Sequence, residues 1–144
     1  MELFKTLSND EQQFLLKAPA YISLLAANLD GEMDEKEKKE AIELTHIKTF
    51  STEPILRDYF KTVEVNFRKD ILQLDNSLSK DPSEREKEIK MELSRLELIF
   101  QKLEEPFRSA LHKSLQDYTD HVSKAHRNSL EFFLIPFFIK GLTD

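Results

Sequence analysis

PILRDYFKTVEVNFRKDILQLDNSL, residues 54–78, decides the fold class. Its Leu56, Phe60, Val63, Phe67, Ile71, Leu74 and Leu78 recur at spacings of three and four. That places them on one face of an α-helix, whereas on a strand they would fall on both faces. The pattern predicts a helix of about seven turns, opened by the start signal Ser51, Thr52, Glu53 and Pro54. Just beyond it, Asp81, Pro82 and Glu84 combine an N-cap, a first-turn proline and a capping-box glutamate. Ile89, Leu93, Leu96, Phe100 and Leu103 then carry a second stripe. Two long stripes joined by a few residues predict a central antiparallel helical hairpin over about residues 53–105.

Helices are expected on both sides of it. Ser8 and Glu11 have capping-box spacing, predicting a short helix over 9–17 with Phe14 and Leu15 facing inward. Pro19 is tolerated in a first helical turn, so a second helix is expected over 19–29, with Tyr21, Leu24, Leu25 and Leu29 as its stripe. Ala26 and Ala27 suit close helix contact. A third helix is expected over 34–49, burying Ala41 and Leu44. Glu105 and Pro106 break the line after the hairpin, and Phe107, Leu111, Leu115, Tyr118 and Val122 continue apolar spacing to about residue 124. A last helix over 129–142 holds Phe132, Phe133, Leu134, Ile135, Phe137, Phe138 and Ile139, apolar all round and so expected in the core, with a kink at Pro136. The prediction is an all-α, single-domain, multi-helix bundle over residues 1–144.

Composition agrees with this and narrows the chemistry. Two glycines and five prolines in 144 residues are too few for the turns of a many-stranded sheet. With no cysteine, disulfides, thiolate zinc sites and cysteine nucleophiles are excluded by counting. No apolar run reaches the length of a membrane span, and the N-terminus lacks the order of a secretory signal; a soluble, cytoplasmic protein is expected. A net charge of −6 would repel nucleic acid and anionic lipid and suits a divalent cation or a basic partner.

The best functional lead is AANLDGEMDEKEKKE, residues 26–40, which puts six carboxylates into the eleven positions from Asp30 to Glu40 around an Asp30-Gly31 turn. With Gly31 in the sixth place of a calcium-loop template, the loop starts at Ala26 and aligns Asn28, Asp30, Glu32, Asp34 and Glu37 with the third, fifth, seventh, ninth and twelfth places. Ala26 cannot coordinate, which argues against an ordinary calcium loop and leaves a weaker or partner-completed cation site. Asp34 and Glu37 also serve as cap and dipole partners of the helix that follows. Asp30, Glu32 and Glu40 are not needed for capping, and they repel one another unless a cation or basic group lies near, a relief that Lys36, Lys38 and Lys39 of the same stretch can also supply. The candidate metal residues are therefore Asp30, Glu32, Asp34 and Glu37.

This segment, Ala26 through Glu37 with a helix after it, resembles the core motif of the TerB-like tellurite-resistance family, A-x-A-D-G-x-I-x-x-x-E. Asp30, Gly31 and Glu37 match directly, Met33 takes the apolar place, and Asn28 and Leu29 depart from the usual small-residue context. The resemblance covers about the first 50 residues and implies an all-helical bacterial protein associated with tellurite and other stress responses, with metal binding or association with a membrane complex proposed for such proteins. Family members often carry a second motif in the C-terminal half. Here the matching spacing, from Lys124 and Ala125 to Glu131, lacks the Asp-Gly pair. Tellurite reduction by the chain itself is not expected, since it has no cysteine to reduce or ligate the oxyanion.

Two other readings compete with a non-catalytic stress module. Asp117 and His121 lie four apart on a helix and can offer an oxygen and a nitrogen to one cation, with Asp120 and His126 nearby in sequence. Glu43 and His46 have Glu-x-x-His spacing, so a metal-dependent enzyme could be built from Glu43, His46, Asp117 and His121 if they converge. The remaining reading is a structural protein in which the hairpin mediates dimerisation and the acidic turn is only a cap.

Overall fold

A computed structural model of the chain describes residues 4–30 and 54–125. Its helices are α1 (Asn9–Asp30), a 3-10 turn at Pro54–Leu56 leading into α2 (Arg57–Ser77), α3 (Pro82–Leu93), α4 (Leu96–Lys102) and α5 (Phe107–Ala125). The protein is an all-α multi-helix bundle. The expected helices over 34–49 and 129–142 lie outside the described residues.

The chain enters α1 through the capping box expected at Ser8. Its hydroxyl accepts from the Glu11 N–H at 3.1 Å, and a Glu11 carboxylate oxygen accepts from the Ser8 N–H at 2.9 Å. The second Glu11 oxygen accepts from Lys102 Nζ at 2.6 Å, while the Thr6 hydroxyl donates to the Lys102 carbonyl at 2.7 Å. The start of α1 is thereby tied to the end of α4.

Two helices, 9–17 and 19–29, were expected where there is one. Pro19 lies inside α1 and does not restart the chain. A proline there has no N–H for the carbonyl four residues back, which belongs to Leu15. The Tyr59 hydroxyl, from α2, donates to that carbonyl at 2.7 Å. Packing also holds the two halves in line, because residues 18–27 are buried without interruption. A helix stretch buried on every side lies at the centre of its bundle, and α1 packs on α2, α3, α4 and α5. Leu29 departs from its expected stripe at 38% exposed, while Tyr21, Leu24 and Leu25 are buried as expected.

The long stripe of α2 faces inward as its spacing predicts, with Leu56, Phe60, Val63, Phe67, Ile71 and Leu74 buried and Leu78 partly so. The helix is about six turns rather than seven, because the chain enters through the 3-10 turn and α2 itself starts only at Arg57. Across the 78–81 connection, Asp81 caps α3 by accepting from the Glu84 N–H at 3.0 Å. Asp75 and Arg85, buried on both sides, form an ion pair between α2 and α3, and the guanidinium also reaches the Asp75 and Ser79 carbonyls. Each arm of the expected hairpin packs mainly on α1.

The second arm is split at Ser94 and Arg95 into α3 and α4. The Ser94 hydroxyl donates to the Met91 carbonyl at 2.6 Å, a local bond that competes with regular helix. Its stripe survives the break, since Ile89, Leu93, Leu96, Phe100 and Leu103 are all buried. The Arg95 guanidinium lies 4.5 Å from the centre of the Phe14 ring, a cation–π contact onto α1.

In α5, Phe107, Leu111, Leu115, Tyr118 and Val122 are buried, as their spacing predicts. The Glu105–Pro106 bond is cis, and Glu105 accepts from the Ser109 N–H and hydroxyl at 3.0 and 2.8 Å. Phe4, Tyr59, Phe60 and Phe107 meet in an aromatic cluster with ring centres 4.8–6.5 Å apart, joining the N-terminal segment, α2 and α5. Among the described residues no helix is long and apolar enough to cross a membrane.

Candidate functional site

The acidic stretch begins at the C-terminal end of the central helix. Ala26 and Ala27 are 0% and 5% exposed, as suits the close helix contact expected of them. Asn28 donates its side-chain N–H to the Pro82 carbonyl at 3.1 Å, docking the end of α1 against the start of α3. Asp30 is the last residue of α1. Residues 26–30, the first five places of the calcium-loop template, are thus helical turn rather than loop. That corrects the template for those places: Asn28 is engaged with α3, and Ala26 is core.

Electrostatics at this end are negative. The last carbonyls of a helix carry partial negative charge, and basic residues in the last turn normally offset it; the last turn of α1 has none. The α3 start that Asn28 touches bears the exposed acids Asp81 and Glu84. Beyond Asp30 come the other carboxylates of the stretch. Of the candidate ligands, Glu32, Asp34 and Glu37 lie outside the described residues, as do Glu43, His46 and His126.

Of the second candidate set, only Asp117 and His121 are among the described residues. Both are exposed on α5, and among the described residues no group of three or more histidine, aspartate or glutamate side chains is placed to hold a metal ion.

The buried polar chemistry lies elsewhere, at His112, Ser23, Tyr59 and Asp70, which the sequence pattern did not single out, and at Tyr118 of the α5 stripe. His112 is 2% exposed, its ring edge-on to Phe100 at 5.6 Å. Ser23 and Tyr118 share a hydrogen bond of 2.5 Å between α1 and α5, both fully buried. Burial pushes the Tyr59 phenol far up, with the nearby Tyr118 adding to it, and burial pushes Tyr118 up against the opposing Ser23 hydrogen bond; both stay protonated. Burial also raises the Asp70 carboxyl, with Lys17 and Lys69 opposing. Glu11 is held below the usual carboxylate range, first by its hydrogen bond from Lys102 and then by the Ser8 N–H. Glu105 is lowered by Ser109. Tyr59, the Ser23–Tyr118 pair and Glu11 fasten helices to one another, and the one signal that could have flagged Tyr59 is its distance of four residues from Val63 along the inward face of α2.

Comparison with known proteins finds no matching family model, no matching curated protein and no matching solved structure.

Proposed function

We propose that this chain is a non-catalytic, TerB-like stress-response module of the tellurite-resistance type, whose acidic stretch from Asp30 to Glu40 binds a divalent cation or a basic partner. The observation that carries the reading is the position of the stretch. It leaves the C-terminal end of a central helix that has no basic residue in its last turn, beside the exposed Asp81 and Glu84 of α3. Helix carbonyls and carboxylates together make a site for positive charge. Asp30, Glu32, Asp34 and Glu37 are the proposed ligands, and a cytoplasmic setting, in which the module joins a larger complex at the membrane, belongs to the same proposal.

The test is calorimetric titration of chelator-stripped protein with calcium, then manganese and zinc, beside an Asp30→Asn, Glu37→Gln double variant. Saturable heat that the variant loses is expected. Heat that survives the variant moves the site away from this stretch, and no heat with any ion, together with no thermal stabilisation, overturns the cation reading.

Dimerisation is the second reading, and one observation favours it. Val65 and Leu72, seven residues apart on α2, stay exposed at 77% and 39%, as do Met91 on α3 and Leu98 on α4, at 72% and 64%. Repeats of seven suit helix pairing. Sedimentation equilibrium of the wild type beside Val65→Lys and Met91→Lys variants tests it; a mass that stays monomeric across concentration rules it out.

A further inference from the structure

We infer that Tyr59 is a latch across a hinge in α1, holding the half that leads into the acidic stretch in line with the half that begins at the Ser8 cap. A proline inside a helix deletes one N–H, and its ring presses on the carbonyl four residues back; together these usually bend or break the helix. In α1 both effects fall on Leu15, whose carbonyl then needs another donor. The Tyr59 hydroxyl supplies it at 2.7 Å. Tyr59 is fully buried, so water is not at hand to take over, and a carbonyl stripped of its donor in such a place is costly.

The ring that carries this hydroxyl is fixed by Phe4, Phe60 and Phe107, with centres 6.2, 4.8 and 6.5 Å away. Burial keeps the phenol protonated and therefore able to donate. Continuity of α1 at residues 15–19 thus depends on a side chain of α2, and any shift of α2 that withdraws Tyr59 releases the hinge. Beyond the hinge, Ser23 is tied to Tyr118 of α5. The half of α1 that leads into the acidic stretch is thus held by one hydroxyl at its pivot and a second further along, in addition to the packing of residues 18–27 and the Asn28 bond to Pro82. The consequence for cation binding rests on the function proposed above; the latch itself does not.

Four full-length proteins test it: wild type, Tyr59→Phe, Pro19→Ala and the double variant, each followed by urea unfolding and residue-resolved amide exchange. In the wild-type background, Tyr59→Phe lowers the folding equilibrium constant about ten-fold and speeds exchange more at residues 20–30 than at 9–14. With Pro19→Ala, residue 19 donates its own N–H to Leu15, and the same tyrosine change costs about three-fold or less. Equal losses in both backgrounds overturn the latch. So does a uniform rise in exchange along α1 in Tyr59→Phe alone, a readout that stands even if the Pro19→Ala proteins fail to fold. Titration with calcium or manganese separates the two ideas: absence of binding by the wild type counts against the proposed function and leaves the exchange pattern to judge the latch.

Discussion

Asp75 and Arg85 sit ten residues apart, on two helices, with both side chains almost wholly withdrawn from water. Their mutual attraction is set against a large desolvation cost, so the pair as a whole adds little, but either member alone is a buried, uncompensated charge. Asp75→Ala or Arg85→Ala is therefore expected to lose about 3–5 kcal/mol of unfolding free energy, and Asp75→Leu combined with Arg85→Met to lose far less. Urea unfolding of the three variants checks this, and equal losses in all three would show that packing rather than charge holds the α2–α3 reversal. Asp70 works in the opposite sense. Burial raises its carboxyl, so between the unfolded and the folded value the native state holds the extra proton, and stability falls as pH rises through that window. At neutral pH the ionised group costs stability throughout. Asp70→Asn should raise the melting temperature at pH 7, and the gain should shrink as pH falls from the raised folded value to the ordinary carboxylate value and be gone below it; a gain that is independent of pH would assign the effect to packing.

Caps and stripes were legible in the sequence because their physics is local. Ser8 with Glu11 and Asp81 with Glu84 act within one helical turn, and the α2 and α5 stripes follow the 3.6-residue period that burial on one side imposes. What was not legible depends on partners far along the chain. Pro19 reads as a helix start until Tyr59, 40 positions on, supplies the missing donor. The split at Ser94 was hidden because the apolar stripe runs through it without a change of phase. The all-round burial of residues 18–27 departs from the one-sided stripe of Tyr21, Leu24, Leu25 and Leu29, because the helices that cover the other sides of α1 come from distant parts of the chain. At the candidate site, the acidity of residues 30–40 is a property of sequence, while the docking of Asn28 on Pro82 is one of packing. Glu11 gives the element-scale prediction. Its lowered carboxyl means that its contribution is present above the unfolded value and lost as pH falls through the folded value. Glu11→Gln keeps a side chain able to cap but drops the charge facing Lys102. The variant should melt below wild type at neutral pH, and the two should converge in acid; a constant gap across pH would show that the cap geometry, rather than the ion pair, was lost.

For the molecule as a whole, α1 makes any event at its C-terminal end a global one. A helix packed on α2, α3, α4 and α5 does not unfold alone without exposing the inner faces of all four, so a cation held where α1 ends is coupled to the stability of the bundle. A ligand that binds only the folded state stabilises it by mass action: at a free concentration one hundred times Kd the gain is about 2.7 kcal/mol. For a chain of 144 residues that corresponds to a rise in melting temperature of roughly 10 °C. The rise should grow with the logarithm of cation concentration, vanish on chelation and be absent from the Asp30→Asn, Glu37→Gln variant. That variant has a second expected effect, because removing two like charges from a crowded acidic stretch relieves repulsion when no cation is bound. Without cation it should melt at or above the wild-type temperature, and with saturating cation the order should reverse. A crossing of the two melting curves with cation concentration is what a real site at the end of α1 requires. Parallel curves, with the variant offset by the same amount at every concentration, would mean that the carboxylates act only through their mutual repulsion.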